Sequence, residues 1–354
     1  MSYSWKVQVH RAWDEVDDPS FIRQWKRWMQ DSADAHVFNH PALVTAWTDT
    51  YRSLQDITPL YVVAETDGFR VFLPLVLWRR NWKNAFVRVI IPAGYSDYDY
   101  HDPVVAGQGG QAVRDSFWFS IEGFLSEEIK DRYDKIMLNG VRNPGGSRNW
   151  EKDDVECPYT DMSKYRDFDE FFSSLKKKLR SDINRRKRRI TELGELTYHV
   201  HKADEVQAAI QSLLPMLEAH RKRRPKAYKA PGFHEALVRY GLPESVVHFS
   251  EMKLDGRTIS WRLGFLYKNR FYSYMPAFLE EYSGFSPNKV HLSFVMEDCF
   301  SRGVECFDHL RGDHRYKEEW PTDKASLFLF EQQSERFASR SRLWLLNKLN
   351  KLKR

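Results

Sequence analysis

An internal repeat constrains the fold of this chain more than any other feature. Residues 61–77 (YVVAETDGFRVFLPLVL) and 246–267 (VVHFSEMKLDGRTISWRLGFLY) each contain an apolar strand, Asp-Gly and a second strand with alternating apolar residues. Such alternation is typical of half-buried strands, and Asp-Gly between two of them predicts a tight hairpin. A third strand is predicted after each copy, at 86–92 and 271–278. The repeat therefore predicts two similar α/β units rather than a short-period solenoid.

Length and local composition predict where the two units meet. The chain has 354 residues, roughly twice the length of a typical domain. Gly, Pro and Asn cluster at 142–158, and the apolar periodicity lapses there. We therefore predict a first domain over 1–155, a second domain over 156–332, and a basic amphipathic C-terminal helix over 333–354.

Composition excludes several other classes of protein. Hydrophobic residues make up 42% of the chain and charged residues 29%, so it can bury cores and is neither disordered nor fibrous. Three cysteines without a Cys-x-x-Cys pair argue against a disulfide framework and a structural zinc ribbon. The N-terminal sequence lacks the layout of a signal peptide, and no stretch is apolar for long enough to span a bilayer. These features predict a cytoplasmic protein.

Positive charge is concentrated in three stretches, 176–189, 220–229 and 339–354. Such clusters attract phosphate on nucleic acids, nucleotide-linked substrates or anionic lipids, although a solvated helix face has the same composition. The first stretch lacks interleaved aromatic residues and a base-reading motif, so a nucleic-acid partner is disfavoured. The last stretch alternates leucines and lysines, and it could lie on an anionic membrane or dock on its own domain.

A helix N-terminus is predicted just after the second meander. Ser286 is a good N-cap, and Pro287 suits the first helical position. A helix N-terminus offers unpaired backbone donors and a positive dipole end, which together bind phosphate. Asn288 and Lys289 add a polar and a cationic group there. An ordinary capped helix would have the same residues. The evidence for a phosphate-binding site is therefore the order of the predicted elements, in which the meander is followed by this helix and then by a further strand.

This order, together with several segments, resembles one family of acyltransferases. The segments are FNHPALVTAW, LYVVAETDGFRVFLPLVL, LKKKLRSDINRRKRRITELGEL, LDGRTISWRLGF and the stretch from MPAFLEEY to YKEEW. Over about residues 35–330 the chain resembles the bacterial CelD/BcsL-like group of GNAT acetyltransferases, which is related in fold to the FemAB aminoacyltransferases. The last segment is the most specific, because Asp308, the Leu-Arg-Gly-Asp of 310–313 and Tyr316-Lys317 follow at the family's spacing.

The resemblance implies an α/β (α+β) fold of two tandem GNAT-like domains, each a mixed, mainly antiparallel sheet flanked by helices. It also implies that the second domain binds acetyl-CoA or another acyl-CoA as co-substrate, without a metal. The pantetheine arm would lie between the strands on either side of the phosphate-binding helix. The candidate donor-binding residues are Ser273, Tyr274, Met275, Ser286, Asn288 and Lys289. The multi-glycine signature of typical single-domain GNAT enzymes is absent, which leaves the identity of the donor open.

Acyl transfer from a thioester requires a base for the acceptor, donors for the oxyanion and an acid for the leaving thiolate. By resemblance, Tyr316 is the candidate acid. The other catalytic candidates are Asp308, Asp313 and Asp102, and His309 is a further base or substrate-orienting candidate. An acidic loop at 94–103 and the basic helix are expected to contact the acceptor. The candidate acceptor-binding residues are Asp97, Asp99, His101, Arg180, Arg185, Arg311 and Lys317.

Two other interpretations of residues 307–320 compete with a catalytic one. Arg311-Gly312-Asp313 is a tripeptide that adhesion receptors recognise, but in a cytoplasmic protein we interpret it as a coincidence. The alternating Asp and His residues could bind zinc, but their spacing matches no common zinc pattern, and transfer from a thioester needs no metal. We therefore predict no metal at this segment.

Together these features predict an N- or O-acyltransferase that moves an acyl group from acyl-CoA to an amine or hydroxyl of a cell-envelope or exopolysaccharide precursor. The basic stretches predict a small-molecule or glycan acceptor that bears phosphate, and residues 339–354 as a contact with the inner face of the membrane. Two alternatives stay open. One is an aminoacyltransferase that uses aminoacyl-tRNA, as FemAB enzymes do. The other is a non-catalytic protein that binds nucleic acid or a partner on a decayed transferase scaffold.

Overall fold

A computed structural model describes residues 3–79, 86–95, 97–107, 110–129, 133–145, 150–224, 230–312 and 317–351. The chain divides into two compact units. The first comprises Met1–Asp154 with Ser326–Arg354, and the second comprises Val155–Ala325.

The elements of both units are numbered in chain order. The strands are β1 (Lys6–His10), β2 (Asp56–Thr66), β3 (Phe69–Arg79), β4 (Arg88–Pro92), β5 (Val104–Ala106), β6 (Lys135–Val141), β7 (Trp150–Lys152), β8 (Cys157–Asp161), β9 (Leu196–Val200), β10 (Val247–Leu254), β11 (Arg257–Tyr267), β12 (Arg270–Phe278), β13 (Cys306–Asp308), β14 (Asp323–Ala325) and β15 (Phe328–Gln333). The helices are α1 (Trp13–Val16), α2 (Pro19–Asp31), α3 (Pro41–Arg52), α4 (Gln111–Glu128), α5 (Phe168–Ser174), α6 (Lys177–Thr191), α7 (Val206–Arg223), α8 (Phe233–Gly241), α9 (Pro287–Ser301) and α10 (Phe337–Lys351). Short 3-10 helices are Val37–Asn39, Glu280–Phe285 and Lys317–Glu319.

The first unit is built on a sheet with the strand order β1-β2-β3-β4-β6-β15-β7, and β5 pairs with β3. Among its described pairs, β4 and β6 are parallel and the others are antiparallel. Helix α4 connects the two parallel strands in sequence, and its Phe117 and Ile121 pack in one core with Leu73 and Ile136. The unit is thus a mixed, mainly antiparallel sheet flanked by helices.

The second unit repeats this plan. Its sheet has the order β14-β8-β13-β12-β11-β10-β9, and among the described pairs β12 and β13 are parallel while the others are antiparallel. Helix α9 connects the two parallel strands, and its Leu292 and Val295 pack in one core with Phe271 and Phe307. The predicted fold class, with a mixed and mainly antiparallel sheet in each of two similar units, is confirmed.

Both predicted hairpins form at their Asp-Gly dipeptides. Strands β2 and β3 are joined at Asp67-Gly68, and β10 and β11 at Asp255-Gly256. Gly68 and Gly256 have φ angles of 77° and 79°, a region that glycine enters without steric cost. Glycine therefore occurs at the second position of each Asp-Gly pair because the turn requires a positive φ angle there.

The C-terminal segment differs from the predicted domain ranges. Residues 326–332 fall in the first unit because β15 lies between β6 and β7 in its sheet. The terminal helix α10 begins at Phe337 and docks on the same unit, where the Arg342 Nη2 atom hydrogen-bonds Ser339 and forms a short ion pair with Asp134. None of the described helices is long and apolar enough to cross a membrane.

Two helices, α5 and α6, succeed each other around the start of the basic stretch 176–189. Asp167 caps α5 by accepting a hydrogen bond from the Glu170 N–H at 2.8 Å. Leu175 then adopts an extended conformation, with φ −60° and ψ 148°, which ends α5 before α6 begins. The break lets α6 take its own direction, with Leu179 and Ile183 packed in the same core as α9.

Candidate active site

The two parallel strands of the second unit separate after a short pairing. Strands β12 and β13 are paired at three positions, the last of which joins Tyr272 to Asp308. Strand β13 ends there, whereas β12 continues to Phe278 with β11 along its other edge. Within the described residues, no strand pairs with the β13-facing edge of β12 from Ser273 onward. This gap between the strands leaves backbone groups that an extended ligand can hydrogen-bond.

The N-terminus of α9 follows β12 in the chain, after a 3-10 helix. Ser286 occupies the N-cap position, as predicted, but its φ of 49° and ψ of 55° are left-handed and its side chain makes no capping bond. Its hydroxyl instead accepts a hydrogen bond from Arg186 at 2.5 Å. Pro287 has no N–H, and the Lys289 N–H donates to the Ser286 carbonyl at 3.0 Å, so an anion at this N-terminus would depend mainly on the positive dipole end and on the nearby cations.

A cluster of charged side chains surrounds this N-terminus. Asp182 on α6 lies 2.7 Å from Arg185, 2.8 Å from Arg186 and 3.1 Å from Lys289. Burial raises the pKa of Asp182, but hydrogen bonds from these three cations outweigh it and hold the pKa well below its usual range. Lys289 also pairs with Glu319 at 2.6 Å. Three cations against two carboxylates leave the cluster with a net positive charge.

The residues predicted to bind the acceptor and those predicted to bind the donor are not separated in the structure as the sequence analysis expected. Arg185 was predicted to contact the acceptor, yet it shares Asp182 with Lys289, a predicted donor-binding residue. Arg180 lies elsewhere on α6, where its guanidinium hydrogen-bonds the carbonyls of Ser173 and Leu175. This contact closes the C-terminus of α5 and favours a structural role for Arg180.

A buried arginine joins two other donor candidates. Arg262 on β11 is 2% exposed, and it donates from Nη1 to the Ser273 hydroxyl at 3.0 Å and from Nη2 to the Asn288 amide oxygen at 3.0 Å. It therefore fixes the start of the strand gap relative to the first turn of α9. The sequence analysis missed Arg262. The alternation predicted a half-buried strand with Arg262 on its polar face, whereas the structure buries both faces of β11 around it.

The remaining donor candidates on β12 lie beside a register shift in its pairing with β11. The Tyr274 ring centroid lies 5.1 Å from that of Phe265 and 6.3 Å from that of His234. Met275 is buried and pairs with Leu263, whereas Ser273 hydrogen-bonds the preceding residue of β11, Arg262. Because the shift interrupts the alternation of side chains, Ser273 and Met275 do not share a face, and Tyr274 can reach a ligand in the strand gap through its backbone.

His309 lies directly after the end of β13. Its imidazole is 1% exposed, with Nε2 3.2 Å from the Thr160 hydroxyl and Nδ1 without a hydrogen-bond partner among the described residues. Burial, helped by the charges of Lys317 and Arg262, lowers the pKa of His309 to about 3. The side chain is therefore neutral near pH 7, which suits a hydrogen-bonding group better than a strong base.

Asp308, Lys317 and Arg311 take part in the turn that follows β13. The buried Asp308 carboxylate accepts from Arg270 at 3.1 Å and from the Leu310 N–H at 2.8 Å. Lys317 is 4% exposed, and its ammonium donates to the carbonyls of Leu310 at 2.8 Å and Arg311 at 3.0 Å. These contacts favour a positioning role for Asp308 and Lys317. The predicted catalytic residues Asp313 and Tyr316 lie outside the described residues, so their roles stay predictions.

In the first unit, the acidic loop is folded into the protein interior. Asp97 is 4% exposed and accepts from the Trp47 indole and from the Tyr51 hydroxyl, each at 2.8 Å. These bonds tie the loop to α3, so the geometry favours a structural role for Asp97 over the predicted substrate contact. Asp99 is half-buried, and its substrate contact stays a prediction.

Asp102 and His101 are also buried, and each contacts other residues of the first unit. Asp102 accepts from the Arg142 Nε at 2.7 Å and from the backbone N–H groups of Arg142 and Asn143 at 2.8 and 3.0 Å. Burial raises the pKa of Asp102, but the charge of Arg142 and its hydrogen bonds outweigh it and lower the pKa. His101 Nδ1 lies 2.9 Å from the Asn139 carbonyl. The geometry thus favours a positioning role for Asp102 over the predicted catalytic one.

Comparison with known proteins identifies the class to which this arrangement corresponds. Residues 177–318 match the family model described as an acetyltransferase (GNAT) domain. The match runs from α6 into the 3-10 helix after β13, so it contains the strand gap, Arg262 and the charged cluster apart from Glu319. Over these residues the second unit is similar to a GNAT acetyltransferase domain. No curated protein matches the chain.

Solved structures share the fold over most of the chain. FemX is 10% identical and superposes with a TM-score of 0.62 over 87% of this chain and 95% of its own. A conserved protein of unknown function from Bacteroides thetaiotaomicron is 10% identical, with a TM-score of 0.56 over 92% of this chain and 100% of its own. A protein from Agrobacterium fabrum, described as the C-terminal domain of a lysylphosphatidylglycerol synthetase, is 12% identical, with a TM-score of 0.56 over 93% and 95% of the chains. At these identities the likeness shows the fold alone.

Proposed function

We propose that this chain is an acyltransferase and that its second unit binds an acyl-CoA, above all acetyl-CoA, as donor. One observation carries the proposal: the gap between β12 and β13 lies in the same domain as a cationic helix N-terminus, and Arg262 connects the two. A pantetheine arm has amides that can pair with the free edge of β12. Its phosphates suit the positive dipole end and the cations at the start of α9.

The charged cluster supplies the phosphate contacts in this proposal. Arg186 and Lys289 are partly buried and share Asp182, so their positions are set before a ligand arrives. Side chains that are already ordered lose little entropy when they bind. The Asn288 amide, oriented by Arg262, adds a neutral polar group in the first turn.

Ser273 is placed to assist the reaction at the thioester. Because Arg262 can only donate, the Ser273 hydroxyl accepts from it and keeps its own hydrogen for another acceptor. That hydrogen can stabilise the oxygen of the thioester carbonyl as an amine or hydroxyl attacks its carbon. The attack forms the new C–N or C–O bond, and the C–S bond then breaks. A base takes the proton of the acceptor, and the departing thiolate receives a proton, for which Tyr316 is the predicted donor.

The acceptor in our proposal is a phosphate-bearing precursor of the cell envelope or of an exopolysaccharide, as in the CelD/BcsL-like group. The basic surface of α6 supports a phosphate on the acceptor. Its exposed cations include Arg185, Lys187, Arg188 and Arg189. These residues lie on the same helix as Arg186, so acceptor and donor phosphates would be bound along one element.

Titration calorimetry with acetyl-CoA tests the donor assignment. We expect saturable binding to the full chain, and binding about tenfold weaker in Arg186→Gln, which corresponds to about 1.4 kcal/mol. Arg188→Gln is the matched control. Arg188 lies on the same helix, is exposed and pairs only loosely with Glu192 at 3.6 Å, so its loss should change affinity less than twofold.

The binding result, combined with a test for co-purified tRNA and for nucleic-acid binding, separates the proposal from its two alternatives. Absence of binding to acetyl-CoA and to longer acyl-CoA would rule out the donor assignment. The basic surface of α6 also suits an aminoacyl-tRNA donor, so co-purification of charged tRNA together with that absence would favour an aminoacyltransferase. Binding of nucleic acid without any transfer activity would favour the non-catalytic alternative.

A further inference from the structure

A second group of polar side chains lies at the outer strand of the second unit's sheet, on β9. His199 on β9 and His201 just after it are two residues apart, so they project from the same face, and their ring centroids are 4.9 Å apart. Glu205 follows at the N-cap of α7, and its Oε2 lies 3.7 Å from the His199 Nε2. One potential ligand atom from each of the three residues lies within 4.8 Å of the others. The proposed acyl transfer uses none of these residues.

His201 has an imidazole nitrogen without a partner. The side chain is buried, and its Nε2 lies 3.2 Å from the Glu251 carboxylate. Because an ionised carboxylate only accepts, Nε2 carries the hydrogen and Nδ1 carries the lone pair. Within the part of the chain that the structure describes, Nδ1 has no hydrogen-bond partner. A buried lone pair of this kind is unfavourable unless something binds it.

The surrounding contacts hold the other groups in place. Glu251 is 2% exposed and also receives Lys253 at 2.7 Å and the Thr258 hydroxyl at 3.2 Å, which fix its carboxylate toward His201. Glu205 accepts the Lys202 N–H at 2.7 Å, which keeps its carboxylate at the turn between β9 and α7. Carboxylates that orient a histidine in this way are typical partners of metal-binding imidazoles.

The donor set and its spacing suit a transition-metal dication. Two imidazoles and one carboxylate are a common zinc-binding set, with ligands at about 2.0–2.2 Å. In a tetrahedral site such ligand atoms are about 3.4 Å apart. The 3.7 Å between the His199 Nε2 and the Glu205 Oε2 is close to that spacing, and all three ligand atoms lie within 4.8 Å of one another.

We propose that His199, His201 and Glu205 bind one transition-metal dication, with zinc the best fit, at the β9 edge of the second unit. The metal would join the outer strand of the sheet to the start of α7. His199 and Glu205 have side chains that are 38% and 34% exposed, so water can fill the fourth position. This metal is separate from acyl transfer, and it stabilises the fold of the second unit.

Zinc titration of the full chain, after treatment with a chelator, tests this proposal. With zinc chloride as the ligand, we expect one ion per chain and a rise of several degrees in the melting temperature. We expect His199→Gln and Glu205→Gln each to weaken zinc binding by at least about tenfold, and Glu251→Gln to weaken it by about tenfold through the orientation of His201.

A matched pair in the first unit provides the control. His10 and Glu15 are 3.6 Å apart, like His199 and Glu205, but they do not belong to a three-residue cluster among the described residues. His10→Gln should leave the zinc affinity and stoichiometry unchanged. Equal zinc affinity in wild type, His199→Gln and Glu205→Gln, or no saturable binding at all, would overturn the proposal. Because His199 is only half-buried, its variant is expected to fold, and circular dichroism of the metal-free forms checks this.

Discussion

Arg262 is the residue on which the donor site depends most. It is almost completely buried, and it holds the Ser273 hydroxyl on one side and the Asn288 amide on the other. A guanidinium can make both contacts from a planar fork, whereas an ammonium is a single point with a shorter reach. The charge alone is therefore not sufficient at this position.

Arg262→Lys should separate charge from geometry. We expect the KM for acetyl-CoA to rise by about 10- to 150-fold, because a lost pair of charge-assisted hydrogen bonds costs about 1.5–3 kcal/mol. Steady-state kinetics measures the change. Arg257→Lys is the control, since Arg257 starts the same strand but is exposed and pairs with Glu281 at 2.8 Å. A KM in Arg262→Lys equal to that of the control would contradict the role we give to Arg262.

His309 should make the stability of the protein depend on pH. Its pKa is about 3 in the folded state and about 6.5 in an unfolded chain. The unfolded state therefore binds a proton first, and stability that is present above pH 6.5 is lost as the pH falls toward 3. Between pH 7 and pH 5 this one residue should cost about 2 kcal/mol of unfolding free energy.

Urea unfolding of His309→Gln at pH 7 and pH 5 tests this effect. The variant should lose about 2 kcal/mol less than wild type between the two pH values. The account of His309 is wrong if the pH dependence of His309→Gln equals that of wild type.

Some individual residues of the donor site could be predicted from the sequence, and others could not. Ser286, Asn288 and Lys289 could be predicted because helix starts have a local signature and the segment resembles a known family. Arg186 could not be assigned, because its bond to Ser286 connects residues 100 positions apart. Pairings of this kind depend on the packing of α6 beside α9, which no local pattern encodes.

Among the elements, α10 shows how a basic helix is anchored. Asp134 is fully buried, and it receives the guanidinium of Arg342 and the backbone N–H of Arg88. Burial raises the pKa of Asp134, but the hydrogen bonds from Arg342 and Arg88 outweigh it and lower the pKa. The helix is therefore held on the first unit by an ion pair to a buried carboxylate. Of the two possibilities given for residues 339–354, contact with a membrane or docking on a domain, the structure shows the helix docked on the first unit.

Arg342→Met should release this anchor. Removing one partner of a buried ion pair leaves the other charge uncompensated, so we expect a loss of about 3 kcal/mol in unfolding free energy. Urea denaturation measures the loss. Arg340→Met, two positions earlier and exposed, should change stability by less than about 0.5 kcal/mol. Similar losses in both variants would contradict the specific pairing with Asp134.

The helical elements also show where local patterns fail. The Asp-Gly hairpins and α9 follow the sequence closely because each has a residue that fixes its backbone, Gly256 or Pro287 for example. The break between α5 and α6 at Leu175 contains no glycine or proline that would predict it from the sequence. It is set by packing, because Leu175 and Leu179 enter the same core from different helices.

The whole molecule consists of two units of one plan, and only the first is assembled from two separated parts of the chain. Strand β15 lies within the sheet of the first unit, between β6 and the edge strand β7. The repeat in the sequence predicted two similar units, because the alternation and turn signals occur twice. It could not predict the return of residues 326–354, because the pairing of β15 with β6 is a contact between distant parts of the chain.

Fragments of the chain test this division. We expect residues 155–325 to fold alone and unfold cooperatively, because their sheet and core contain no strand from outside the fragment. Residues 1–154 should not fold, since they lack β15, unless a peptide of residues 326–354 is added. Circular dichroism and urea unfolding report both outcomes. Cooperative unfolding of 1–154 alone would contradict the division.

The central claim is that the second unit binds acyl-CoA between β12 and β13 with its phosphates at the start of α9. A crystal structure of the full chain with CoA tests it most directly. We predict that the pantetheine arm pairs with the free edge of β12 from Ser273 onward, and that the pyrophosphate lies within hydrogen-bond distance of Arg186 or Lys289. A CoA molecule bound elsewhere, or a gap that stays closed at saturating CoA, would contradict the account.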